Sequence, residues 1–92
     1  MKKVTVFVIT GCPYCAQARK ALKELVSENP EYAKVEFEEI NEMEHPEIAN
    51  EYDYMACPSM FIGKDKIYEA HVGEKYDECK AHVKQVLEAA MA

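Results

Sequence analysis

Cys12 and Cys15 are separated only by Pro13 and Tyr14 in a chain of 92 residues that carries four cysteines. Thiols this close can form a disulfide with each other and break it again by exchange with another disulfide. The same spacing also serves a structural disulfide or half of a metal site. The surroundings favour redox chemistry. The pair follows the apolar run Val4 to Ile9, and in the segment after it, Ala16 to Ser27, Ala18, Leu22 and Leu25 recur at helical spacing. A buried strand therefore hands over to a helix at Thr10-Gly11, and a cysteine pair at such a junction in a small chain reads as a redox motif.

That junction gives the two sulfurs different chemistry. Pro13 is favoured in a first helical turn, where its missing N–H costs nothing. Cys12 then takes the N-cap, with its sulfur expected to face the unpaired amides of that turn and the positive end of the helix dipole. In motifs of this kind the thiol pKa falls from about 8.5 to somewhere between roughly 3.5 and 7.5. Cys12 is thus the expected nucleophile. Cys15 returns to the same face and opens the apolar series Cys15, Ala18, Leu22, Leu25, so its sulfur is expected to be shielded. Attack by Cys12 on a substrate disulfide would give a mixed disulfide, and attack by Cys15 on Cys12 would release the reduced substrate.

The elements that must hold this motif follow from the whole chain. Its length predicts a single domain over 1–92, with one sheet and two or three helices. Apolar content of 49% supplies a core without disulfide staples. The opening Met1-Lys2-Lys3 and the run behind it are too short, and lack a cleavage site, to be a secretory signal. No run approaches the roughly 20 apolar residues of a membrane span. A soluble cytoplasmic monomer is the expectation. The formal charge of -6 argues against nucleic acid, whose phosphates require a basic surface. The acidic residues Glu36, Glu38, Glu39, Glu42, Glu44, Glu47 and Glu51 are expected to form mostly a solvated face. Arg19, Lys20 and Lys23 read as the exposed side of the cysteine-bearing helix.

In chain order, Val4 to Ile9 is a central strand, with Val4, Val6 and Val8 on one face and Phe7 and Ile9 on the other. Pro13 to Ser27 is a helix that Asn29-Pro30 ends. Lys34 to Ile40 is a second strand, parallel to the first by the handedness of strand-helix-strand units. Asn41 to Tyr52 reads as a second helix with Pro46 in its first turn. Met60 to Ile62 is a third strand opened by Pro58. Gly63 to Lys66 turns into a fourth strand, Ile67 to Val72, and Gly73 precedes a last helix, Tyr76 to Ala90. On that helix Cys79, Val83, Val86, Leu87 and Ala90 share a face.

With Cys12-Pro13-Tyr14-Cys15 after the first strand and Pro58 opening the third, the chain resembles the thioredoxin superfamily over essentially its whole length. Its four-residue motif is the one typical of glutaredoxins. The resemblance implies a thioredoxin fold of the α/β class, βαβ followed by ββα, with a four-stranded mixed sheet flanked by three helices. It implies catalytic roles for Cys12 and Cys15, a cis bond before Pro58, and a substrate groove formed by Pro13, Tyr14, Cys57 and Pro58. Tyr14 is expected as a groove wall, because its pKa near 10 is far from working pH.

The chain departs from both branches of that superfamily. Ile9 stands where glutaredoxins carry a glutathione-binding lysine, Ala56-Cys57-Pro58 where they have Thr-Val-Pro, and Gly73 with Asp77 where they have a glycine pair and an acid. Gly11 replaces the tryptophan of thioredoxins, and Val6 replaces their buried acid. Cys57 reads either as a third thiol at the groove or as a small side chain filling a threonine-sized space. Cys79 reads as core. His45, His71 and His82 lack partners at ligand spacing and are expected at the surface. The function implied is a dithiol-disulfide oxidoreductase acting on protein or small-molecule disulfides. Its electrons would come from a thioredoxin-reductase-type enzyme or from glutathione, and no bound cofactor or metal is expected. A thiolate metal or iron–sulfur protein using Cys12, Cys15 and Cys57, or a redox sensor on the same fold, are the alternatives.

Overall fold

The computed structural model describes residues 1–92. β1 (Val4–Val8) is followed by α1 (Pro13–Glu28), β2 (Phe37–Asn41), a short α2 (Pro46–Ala49), β3 (Ser59–Ile62), β4 (Asp65–Glu69) and α3 (Tyr76–Met91). The strands form one sheet in the order β2-β1-β3-β4. β1 runs parallel to β2 and antiparallel to β3, and β4 returns antiparallel to β3. β1 is interior, so both of its faces must be covered.

Alternation along β1 divides the core accordingly. Val4, Val6 and Val8 lie in one cluster with Cys15, Ala18, Ala21 and Leu25 of α1 and with Cys79, Val83, Val86, Leu87 and Ala90 of α3. On the opposite face, Phe7 forms a smaller cluster with Ile40 and Phe61, against which Ile48, Tyr52 and Tyr54 pack. Both long helices therefore cover one face, and the stretch around α2 covers the other. Each large apolar side chain buried in this way contributes about 1.5–3 kcal/mol.

Three elements differ from the sequence expectation by more than one residue, each for a local reason. β2 begins at Phe37 rather than Lys34, because a 3-10 turn occupies Pro30–Lys34. The Asn29 side chain accepts the Glu31 N–H at 3.2 Å, and the turn buries Tyr32 before Val35 caps it. The helix expected over Asn41 to Tyr52 shrinks to Pro46–Ala49. Asn41 instead ends β2 opposite Val8, and its side-chain oxygen accepts the Met43 N–H at 2.9 Å. That local bond competes with helix formation, and Pro46 keeps His45 out of the helical region. β4 starts early, at Asp65, since Ile62 pairs with Asp65 across a two-residue turn. Gly63 meets that turn's demand for positive φ, at 61°. β4 accordingly ends at Glu69, leaving Val72 exposed in the connection to α3.

Candidate active site

The junction between β1 and α1 is a tight turn in which Gly11 adopts φ 77°, a left-handed conformation that glycine reaches without steric cost. The Asn41 amide donates to Thr10 Oγ1 at 2.9 Å and ties this turn to β2. Cys12 is the N-cap of α1 and Pro13 its first residue, as the sequence predicts. The Cys12 sulfur, however, makes no capping bond to the first-turn amides. It points across the turn, with Sγ 3.6 Å from the carbonyl oxygen of Cys57. Cys12 is half-buried, whereas Cys15 keeps only 1% of its surface exposed. All four cysteines are free thiols.

Burial sets the acidity of Cys15. Its thiol is pushed up to about 11, first by desolvation and further by the neighbouring Cys12, while a bond from the Ile9 backbone N–H acts in the opposite direction.

Cys57 arrives at the site on the loop between α2 and β3, and the Cys57-Pro58 bond is cis. Glu69 holds this loop from β4. One of its carboxylate oxygens accepts the N–H of Met55 at 2.6 Å and of Ala56 at 2.7 Å, and the other accepts Lys66 Nζ. The sequence offered no signal for that role, because Glu69 sits inside a strand. Pro58 and Ser59 are fully buried, and the Ala70 N–H donates to the Pro58 carbonyl at 3.0 Å. Pro13 is exposed and Tyr14 half-buried at the rim. Tyr14 Oη accepts the N–H of Gly73 at 2.7 Å, so the motif is fastened to the connection between β4 and α3. Cys12, Pro13, Tyr14, Cys57 and Pro58 thus converge, with Cys15 beneath them.

Residues 2–78 match a family model described as a thioredoxin domain. The chain belongs to the thioredoxin family. It is 38% identical over 63 residues to the thioredoxin of Methanocaldococcus jannaschii, spanning 68% of this chain and 72% of that one. Among solved structures its fold is similar to thioredoxin 1 from Thermosipho africanus, with a TM-score of 0.59 at 15% identity over 98% of this chain and 99% of that chain. It is also similar to a malarial protein, with a TM-score of 0.58 at 12% identity over 90% and 93% of the two chains. Thiol-disulfide redox chemistry is the general role of the thioredoxin family.

Two features of this thioredoxin-family chain lie outside the sequence expectation. The first concerns Cys57, whose S–H donates to Glu42 Oε1 at 3.2 Å, the oxygen that also accepts Tyr54 Oη at 2.6 Å. Burial, and then the Glu42 carboxylate, push the Cys57 thiol far above its usual range. It is held as a protonated donor, and Glu42 is half-buried rather than part of a solvated face. No three His, Cys, Asp or Glu side chains come together closely enough to hold a metal ion, and no helix is long and apolar enough to cross a membrane.

The second feature is a buried polar network behind the site. Glu74 is 4% exposed, and its carboxylate accepts Tyr68 Oη at 2.5 Å and faces His82 Nδ1 at 3.0 Å. His82, expected at the surface, is therefore half-buried, with its ring tilted against Tyr68. His45 and His71 are exposed as expected. Gln17 on α1 donates to the Glu74 carbonyl at 3.2 Å, and Cys79 Sγ lies 3.5 Å from Tyr68 Oη, in the core as predicted. Tyr68→Phe removes a donor to a buried carboxylate and is expected to destabilise the fold by about 1.5–3 kcal/mol, read by urea denaturation. A change below about 0.5 kcal/mol would mean that water takes the place of the hydroxyl.

Proposed function

We propose that this protein is a dithiol-disulfide oxidoreductase that reduces protein or small-molecule disulfides, with Cys12 as nucleophile and Cys15 as resolving thiol. The observation that carries the reading is the asymmetry of the two sulfurs. Cys12 is half-buried at the rim beside the carbonyl before Pro58, whereas Cys15 lies buried beneath it. A substrate disulfide therefore meets Cys12 first. Cys15, its thiol pushed up to about 11 mainly by burial, stays protonated at neutral pH until the mixed disulfide has formed. It then attacks Cys12, whose bond to the substrate breaks. Two thiols of the protein are oxidised to one disulfide, and one substrate disulfide is reduced to two thiols.

Pro13, Tyr14, Cys57 and Pro58 shape the groove in this reading, with Cys57 serving through its backbone and bulk rather than as a third nucleophile. The protein would work as a cytoplasmic monomer with no bound cofactor, recharged by an external reductant. Ile9 offers no charge to a glutathione carboxylate, and losing one charged hydrogen bond costs about 1.5–3 kcal/mol, roughly tenfold or more in binding. A thioredoxin-reductase-type donor is therefore the expected partner.

The test is insulin reduction, run in parallel with NADPH and thioredoxin reductase and with glutathione and glutathione reductase. Turnover is expected to be at least about tenfold faster with the first system. Equal or faster turnover with glutathione would refute the choice of donor. Absence of turnover with either would remove the oxidoreductase reading.

A further inference from the structure

Cys15 borders a cavity of about 80 Å³ lined by apolar groups that include Val6, Val8 and Met60, and by one ion pair, Arg19 and Glu39. That volume is room for water. Arg19 lies one helical turn after Cys15 on α1, a spacing that puts two side chains on the same face. Glu39 lies on β2 opposite Val6 of β1. The pair is bidentate, with Arg19 Nε donating to Glu39 Oε2 at 3.1 Å and Nη2 to Oε1 at 2.7 Å. Both side chains are about half exposed, at 50% and 46%. An ion pair so placed contributes little to stability. Its side toward the cavity matters for another reason, because the guanidinium borders the space beside Cys15 and favours the ionised form of that thiol.

The titratable and charged groups around Cys15 are few. Cys12 lies above it on α1 and disfavours its ionisation, Cys57 couples to it from the loop before β3, and Arg19 favours its ionisation. Glu39 is the remaining charge on the cavity wall, while Val6, Val8 and Met60 are the apolar groups that β1 and β3 add there.

We propose that the Arg19–Glu39 pair is a positioning device for the second chemical step, in which the Arg19 guanidinium stabilises the Cys15 thiolate and Glu39 both fixes and tempers that charge. The inference rests on the disulfide-exchange reading above. In the step concerned, Cys15 loses its proton and its sulfur bonds to Cys12. The bond between Cys12 and the substrate sulfur breaks, the electron pair leaves on that sulfur, and a proton taken up there balances the one lost from Cys15.

The experiment uses the full chain and the aromatic disulfide 5,5′-dithiobis(2-nitrobenzoate). Attack by Cys12 releases one coloured thiolate, and attack by Cys15 on the resulting mixed disulfide releases a second. The rate of the second phase at pH 7 reads the Cys15 step. A weaker acid is also a better nucleophile, so about half of any change in acidity, on a logarithmic scale, survives in the rate. Arg19→Gln is expected to slow the second phase about threefold, and Glu39→Gln, which keeps a hydrogen-bond partner but removes the negative charge, to speed it about twofold. Both variants break the same ion pair, so a merely structural role would move both rates in one direction. Shifts of the same sign, or no shift in Arg19→Gln, overturn the proposal. Absence of the second phase in the wild-type chain, or its persistence in Cys15→Ser, would instead refute the two-step reading on which the proposal rests.

Discussion

Cys12→Ser is expected to lose disulfide reduction by roughly three orders of magnitude or more, down to the background exchange of the assay. A serine hydroxyl at the head of α1 cannot supply the thiolate that attacks a disulfide sulfur, and no other thiol is placed to replace it. Cys15 is buried, Cys79 lies in the core, and Cys57 is held protonated by burial and by Glu42. Cys15→Ser should fail differently. Its Cys12 still attacks, so the variant accumulates a mixed disulfide that intact-mass spectrometry detects and dithiothreitol removes. Turnover of Cys12→Ser within tenfold of wild type would sink the assignment. Failure of Cys15→Ser to trap an adduct would count against the two-step mechanism, in which a mixed disulfide on Cys12 must form before Cys15 resolves it.

Phe7→Ala is expected to have the largest effect on stability, about 3–5 kcal/mol. Phe7 has no exposed surface and sits on an interior strand. Its ring lies 4.7 Å from that of Tyr52, 4.9 Å from Tyr54 and 5.8 Å from Phe61. β1 is hydrogen-bonded on both sides, so the backbone cannot move in to fill the space. With a total stability of about 5–15 kcal/mol for a domain of this kind, the loss is a large share of the whole. The melting temperature should fall by on the order of 20 °C, measured by circular dichroism. The same substitution reaches the site, because Tyr54 stacks on Phe7 and donates to the Glu42 carboxylate that binds Cys57. A loss below about 1 kcal/mol would show that the aromatic cluster closes over the gap.

How much of this could be read in the sequence differs from element to element. β1, α1 and α3 are legible because their apolar periods are long and the same residues supply the core: Val4, Val6 and Val8 meet α1 and α3 on one face, as their alternation predicts. The stretch from Asn29 to Tyr52 is read less well. There, side-chain bonds from Asn29 and Asn41 to the backbone decide where the 3-10 turn lies and where β2 ends, and such bonds leave no periodic trace. The hairpin is shorter than expected because Gly63 permits a two-residue turn.

The same division runs through the site. The sequence by itself determined the placement of the candidate pair: two cysteines at a strand-to-helix boundary, one at the N-cap and one beginning the apolar face, follow from local patterns alone. The order of elements was determined in the same way, whereas the groove role of Pro58 came only as what the resemblance to the thioredoxin superfamily implies. Only the tertiary structure decided what surrounds those sulfurs. Glu69 reaches from β4 to hold the loop before Pro58, Glu42 holds the Cys57 thiol, Glu74 collects Tyr68 and His82, and Glu39 locks Arg19 beside the cavity under Cys15. Each is a carboxylate that, by composition, belongs on a solvated surface. What gives it a role is a partner 6 to 20 positions away, or a burial that only the packed sheet and helices create. Charge and hydrogen bonding act through space, and a linear pattern records only neighbours along the chain.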